Sequence, residues 1–196
     1  MTAERTATGA TPPGGEADGL RRGPKRRRTV FALVGVLLAL LVVASAVLFV
    51  FPSSDQPRHV DAILSLNGEN EHARESLAIS LAKRGFAPVL IFSQGNSHTT
   101  ACPTVAHTRV ICFEAQPDRT AGEMEYAARL AKRYGWSSLM VVPGQAQTTR
   151  ARMLLKRCYS GHIAIVPAPV PLSQFPYEIV YEWGALAKAL FVDRAC

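Results

Sequence analysis

Between Thr29 and Phe51 the sequence has no charged residue, over 23 positions. At about 1.5 Å per residue, a helix over that run exceeds the roughly 30 Å hydrocarbon core of a bilayer, so a membrane-spanning helix is expected at 29–51. Large apolar side chains are nearly missing from the first twenty residues, which are mostly Thr, Ala, Gly, Pro and Glu. Such a composition cannot bury enough surface to offset chain entropy, and residues 1–28 are expected to be a disordered basic tail. GxSxG, Walker A, GxGxxG, HExxH and CxxC motifs are all absent. Their absence removes the common serine-hydrolase, P-loop, dinucleotide, zinc-protease and thiol-redox signatures. Acidic residues are fewer than basic ones, 15 against 22, for a net charge of +7. Seven of the basic residues and three of the acidic ones fall in 1–28, so the excess is largely a property of the tail. It argues against nucleic-acid binding by the remainder.

Arg21, Arg22, Lys25, Arg26, Arg27 and Arg28 directly precede the apolar run. Lys and Arg remain on the cytoplasmic side of a spanning helix, which predicts a single-pass plasma-membrane protein with its N-terminus in the cytoplasm. A cleaved signal peptide is the competing reading, because Ala44-Ser45-Ala46 has the A-x-A form. The run continues past that site to Phe51, which favours an uncleaved anchor. All four cysteines (Cys102, Cys112, Cys158, Cys196) lie beyond the run, where the compartment would be oxidising. Of three possible pairings, Cys102–Cys112 with Cys158–Cys196 is expected. A buried thiol at Cys112 stays open beside it.

Pro52 to Pro57 reads as a polar linker, and 58–196 as one domain. Short apolar runs are expected as strands at 59–66, 88–93, 109–114, 138–142 and 162–166. Amphipathic stretches between them predict helices at 69–84, from Asp118 or Thr120 to Tyr134, at 145–158 and at about 177–192. The last should bury Val180, Trp183, Leu186 and Leu190. Strands apolar on both faces and separated by helices mark a parallel sheet covered on both sides. The fold class is therefore α/β: a three-layer, doubly wound, Rossmann-like, mostly parallel sheet of about five strands, preceded by one transmembrane helix.

Ligands of such folds bind beyond the carboxyl ends of the strands, at the switch point of the strand order. That rule selects Asn67-Gly68, Ser93-Gln94-Gly95, Glu114 and Pro143-Gly144-Gln145, although glycine after a strand is also an ordinary turn residue. Arg74 and Arg150 are the candidate anion ligands, with a solvated face as the alternative. Glu114, Asp118 and Glu123 are the carboxylates near a strand end, with solvation favoured for Asp118 over Glu114. The five histidines (His59, His72, His98, His107, His162) lack ligand spacing. No metal site is expected, and no cofactor is specified.

These residues, in order and spacing over about 58–192, resemble the DUF218 family, also called YdcF-like or SanA-like. Asp61 to Gly68 is similar to that family's opening Asp-Ala-Ile-Val-Val-Leu-Gly-Gly. Val89 to Gly95 is similar to its strand ending in Ser-Gly-Gly, and Arg74 to the arginine of its first helix. Glu114, then Thr120-Ala121-Gly122-Glu123, resemble a glutamate followed by a Thr-x-x-Glu helix start. Arg150-Ala151-Arg152 resembles its Arg-Ala-Arg helix. The family's Thr-Ser-x-x-His is replaced by Pro143-Gly144-Gln145-Ala146-Gln147, so Gln147 stands at the histidine position, and an amide does not titrate near neutral pH. The resemblance implies an envelope-associated domain that binds an anionic small molecule or envelope precursor. Its ligand-binding residues would be Asn67, Gly68, Arg74, Ser93, Gln94, Gly95, Glu114, Thr120, Gln147 and Arg150. An enzyme with Glu114 or Glu123 as base, or a protein-interaction domain without a pocket, are the alternatives.

Overall fold

Strands with no face for water must be covered from both sides, and the chain does so. The computed structural model describes residues 24–68, 71–95, 102–193 and 196, so residues 1–23 and His98 lie outside the described residues, and the expected tail is corrected at 24–28, which are helical. Helix α1 (Pro24–Ser45) continues into one wider π turn, Ala46–Val50. Then follow β1 (Ala62–Ser65), α2 (Glu71–Lys83), β2 (Val89–Gln94), β3 (Arg109–Glu114) and α3 (Thr120–Tyr134). The chain ends with β4 (Ser138–Val142), α4 (Thr148–Cys158), β5 (His162–Ile165) and α5 (Phe175–Phe191). All five strands are parallel, in the order β3-β2-β1-β4-β5. Alternation along each strand splits the core into two layers. Leu64, Ile91 and Val141 meet Met124 and Ala127 of α3 and Leu154 of α4 on one face. Ile63, Leu90 and Met140 meet Ala78 and Leu81 of α2 on the other. This is the three-layer, doubly wound arrangement expected.

The order reverses between β1 and β4, and this pair is pinned at its amino end by one carboxylate. Asp61 Oδ2 accepts from the backbone N–H of Ser137 and Ser138 at 2.8 and 2.9 Å and from the Ser138 hydroxyl at 2.8 Å. The Ser138 hydroxyl first, and the backbone N–H groups after it, hold the Asp61 carboxyl below its ordinary 3.8 against the opposing effect of burial.

Helix α1 and the π turn after it together contain the one stretch among the described residues that is long and apolar enough to cross a membrane, Arg27–Val50. Its last turn docks on the domain. Phe49 is fully buried against Ala146 and Leu186, and meets the Trp183 ring edge-on with centroids 5.3 Å apart. The carbonyls that a helix end leaves without partners are met by side chains of the β4–α4 region: Thr149 Oγ1 donates to Leu48 O and Gln145 Nε2 to Val50 O, both at 2.6 Å. The expected linker is docked as well. Asp55 N donates to Ile165 O at 2.8 Å, and the Asp55 carboxylate accepts from Ile165 N and from Arg152 Nη2, each at 2.8 Å. Its polarity thus reflects pairing along the outer edge of β5, where unpaired backbone would otherwise face water.

Both expected disulfides are present, Cys102–Cys112 and Cys158–Cys196, so Cys112 is not a free thiol. Closing the 38-residue loop from Cys158 restricts the unfolded chain by about 4 kcal/mol in the chain-entropy account. The face expected for α5 is corrected. Val180 is 74% exposed and Leu190 is exposed too, while Phe175, Glu178, Glu182, Leu186 and Ala189 point inward. The helix turns its two glutamates to the protein because Arg150 is there to receive one of them.

The Asp61 hydrogen bonds stabilise the fold fully above pH 3.8, and that contribution is lost as pH falls through the lower folded value. Asp61→Asn is expected to cost about 1–2 kcal/mol at neutral pH and to flatten the acid limb of a denaturation-versus-pH profile.

Candidate functional site

Beyond the carboxyl ends of β1 and β4 the chain turns in opposite directions, and the space between the two turns opens into a cavity of about 360 Å³. That volume lies at the lower end of small-molecule sites, which run from about 300 to 1,000 Å³. The β1 turn contributes Asn67 and Gly68, and the β4 turn contributes Gly144 and Gln147. The first turns of α3 and α4 add Thr120, Glu123 and Arg150, and α5 closes the far side.

Gly68 has φ +122°, a conformation that side chains rarely adopt, so the turn itself requires glycine, and even a Cβ there would only touch the Arg74 guanidinium at an ordinary 3.5 Å. Arg74 is buried and donates through Nη2 to Gly68 O and through Nη1 to Gln147 Oε1 at 3.4 Å. Gln147 is a junction. Its carbonyl also accepts from Gly144 N at 3.3 Å, and its amide donates to Thr120 Oγ1 at 3.0 Å. Arg150 Nη1 donates to the same hydroxyl at 2.8 Å. The other side of the Arg150 guanidinium is held bidentate by Glu182, Nε to Oε2 at 2.8 Å and Nη2 to Oε1 at 2.7 Å. Burial works against the Arg150 charge, but the Glu182 bonds outweigh it and hold its pKa above the ordinary arginine value.

Glu123 forms the floor. Its Oε1 accepts from Asn67 N at 2.8 Å, and the Ser93 hydroxyl faces the same carboxyl. Burial pushes its pKa above the ordinary 4.5, against the lowering by Asn67 N–H, Ser93, Arg74 and Arg150. The carboxyl thus keeps its proton to higher pH than an exposed glutamate. Neither α3 nor α4 carries a side-chain cap at its N-terminus, and α4 has no acidic residue in its first turn. Gly122 permits the close approach of α3 to the preceding turn, since a Cβ there would lie 2.2 Å from Pro117 O.

Of the residues singled out from the sequence, Asn67, Gly68, Arg74, Thr120, Glu123, Gln147 and Arg150 converge on this cavity. Ser93 and Gly95 support it from one strand over, Ser93 through Glu123 and Gly95 by packing under Asn67. Gln94 does not line it. Glu114 is exposed at the end of the edge strand β3, two strands from the switch point, and lies outside the cavity. Asp118 and Glu114 are both exposed, and of the two only Asp118 lines the cavity. The whole contribution of α5 (Tyr177, Glu178, Tyr181, Glu182 and Lys188) was missed. A signal existed, because Phe175, Glu178, Glu182, Leu186 and Ala189 recur at helical spacing. Among the described residues no group of three His, Cys, Asp or Glu side chains could hold a metal ion.

Removing one member of a buried ion pair leaves the other charged and unpaired, which costs about 3–5 kcal/mol. Glu182→Ala should therefore lower the unfolding free energy by that amount. The joint change Arg150→Met with Glu182→Leu should restore most of it, as read by chemical denaturation. No protein-family model, curated protein or solved structure matches this chain, so the reading of the site rests on its geometry and its sequence.

Proposed function

We propose that the domain binds an anionic, phosphate-like small molecule or envelope precursor in the switch-point cavity. The carrying observation is the buried Arg74 guanidinium, which donates to Gly68 O and Gln147 Oε1 at the cavity wall, beside a glutamate whose pKa burial raises, where the N-termini of α3 and α4 begin without side-chain caps. Oriented N–H groups and a partly buried guanidinium favour an oxyanion over a neutral ligand. Two further pairs, Arg150–Glu182 and Arg119–Asp193 at 2.6 Å, are already matched internally. They frame the cavity more than they charge it. The resemblance to the DUF218 family supports the same placement, and with it a role in the cell envelope. The basic residues before α1 support a cytoplasmic N-terminus. The two disulfides support an extracytoplasmic domain at the plasma membrane. The bilayer is then the first partner.

Glu123 also favours a second reading, an enzyme acting on a phosphorylated or lipid-linked substrate. A carboxyl lifted by burial at the floor of a cavity is poised for proton transfer. Gln147→His distinguishes the readings: turnover gained with that change supports catalysis, and its absence leaves binding.

The full chain in nanodiscs, titrated with pyrophosphate, nucleotides and sugar phosphates, should show at least one ligand that raises the melting temperature. Arg74→Gln is expected to weaken that ligand about tenfold or more, the loss of one charge-assisted hydrogen bond or more. A ligand whose binding is indifferent to Arg74→Gln would refute the anion site. The protonated Glu123 tolerates a neighbouring anion and the ionised form repels it. Affinity should therefore fall as pH rises through the elevated Glu123 pKa, and Glu123→Gln should remove that dependence while preserving the acceptor for Asn67 N–H.

A further inference from the structure

The outer side of α5 has the wrong composition for a face in water. Phe175 to Phe191 contains three charged residues, Glu178, Glu182 and Lys188, and both glutamates are turned inward. The large side chains that remain outside are Tyr177, Val180, Tyr181, Leu190 and Phe191, with Lys188 the only charge; Phe191 is 75% exposed. A helix packed on a core ordinarily presents a charged outer face, and a contiguous apolar one marks an interaction surface.

Two observations identify what covers it. The first is continuity with the membrane span. Trp183 Nε1 donates to Ser45 Oγ at 2.9 Å, and the same ring meets Phe49. Both partners belong to the span Arg27–Val50, so α5 lies level with its last two turns. The second is length. Side chains are exposed throughout Thr29–Val43, whereas Ala44, Ser45, Ala46, Leu48 and Val50 are half-covered and Phe49 is buried, with Val47 still exposed. Those fifteen positions make about 22 Å of helix, short of a hydrocarbon core of about 30 Å. Apolar surface beside Ser45 must make up the difference, and the outer face of α5 is there.

We propose that α5 is an interfacial helix that seats the domain on the lipid surface beside the exit of α1. Trp183, Tyr177 and Tyr181 are the side-chain types that settle at the headgroup boundary. Val180 and Phe191 enter the acyl margin, and Lys188 reaches back to the headgroups. Because Tyr177, Tyr181 and Lys188 also line the cavity, its mouth opens at headgroup level. The placement of α5 stands whether or not the cavity binds an anion.

Depth-resolved fluorescence tests it on the full chain, one copy per nanodisc. The two native tryptophans are Trp136 and Trp183. In a Trp136→Phe, Trp183→Phe background, Val180→Trp is expected to lose at least half its emission to acyl-brominated lipid and little to aqueous acrylamide. Trp136, half-buried just before β4 at the amino end of the sheet, is the control away from the proposed lipid surface in Trp183→Phe and should lose little emission to the brominated lipid. Quenching of Val180→Trp by acrylamide alone would overturn the proposal by placing the face in water. Quenching by neither agent would overturn it by placing protein there. Oxidative footprinting of the unsubstituted chain is independent of those replacements. It should find Tyr177, Tyr181 and Phe191 protected in nanodiscs while Tyr134, at the far end of α3, is labelled. Equal labelling of all four would refute the docking.

Discussion

The buried pair between Arg150 and Glu182 sets more of this molecule than any other interaction. Desolvating the two charges costs several kcal/mol each, and the arrangement persists only because both carboxylate oxygens and the Thr120 hydroxyl answer the guanidinium. That geometry joins three helices: α4 through Arg150, α5 through Glu182 and α3 through Thr120. It also fixes the rotation of α5 about its axis. With Glu182 turned inward, Glu178 follows one turn before it, and Val180, Tyr181 and Phe191 are left outside. The polar wall of the cavity and the apolar outer face of α5 are two consequences of one ion pair.

A second constraint comes from where the chain enters the domain. The last turn of the span meets the β4–α4 turn, at the carboxyl end of the sheet. From there, residues 51–60 run back along β5 to start β1 at the opposite end. Residues 48–50 and the switch-point cavity are consequently at the same end of the sheet. The carbonyls of Leu48 and Val50 are met there by the Thr149 hydroxyl and the Gln145 side-chain amide. The docked segment and its Asp55–Arg152 pair at 2.8 Å make this entry a fixed joint within residues 41–196.

The site combines charges of both signs at close quarters, and burial decides which of them act. Arg150 and Arg119 are satisfied within the protein. Glu123 is the exception among the carboxyls because burial outweighs the two arginines nearby. Gln147 keeps this balance. Its amide offers an acceptor to Arg74 and a donor to Thr120 without adding a charge, a role that needs no titrating group.

The sequence by itself determined a helix long and apolar enough to span a membrane, the five strands and their parallel, doubly wound class. Each follows from local pattern: absence of charge over 23 residues, apolar runs too short for helices, and glycine or polar residues at strand ends. The same patterns pointed to Asn67, Gly68, Arg74, Glu123 and Arg150, because residues at carboxyl ends of parallel strands and in adjoining first turns must lie at one end of the sheet; Thr120 and Gln147 came only with the family resemblance. The patterns could not say which strands are neighbours. Strand order put Glu114 on an outer edge and brought β1 beside β4, and that choice depends on long-range packing. Nor could they set the face of α5. Hydrophobicity alone favoured the Val180–Leu190 stripe, but a buried arginine from another helix required a carboxylate there, and satisfying that charge outweighed burying the larger apolar side chains. Only the tertiary structure decided this, because the partner that fixes the helix lies 32 residues away in sequence.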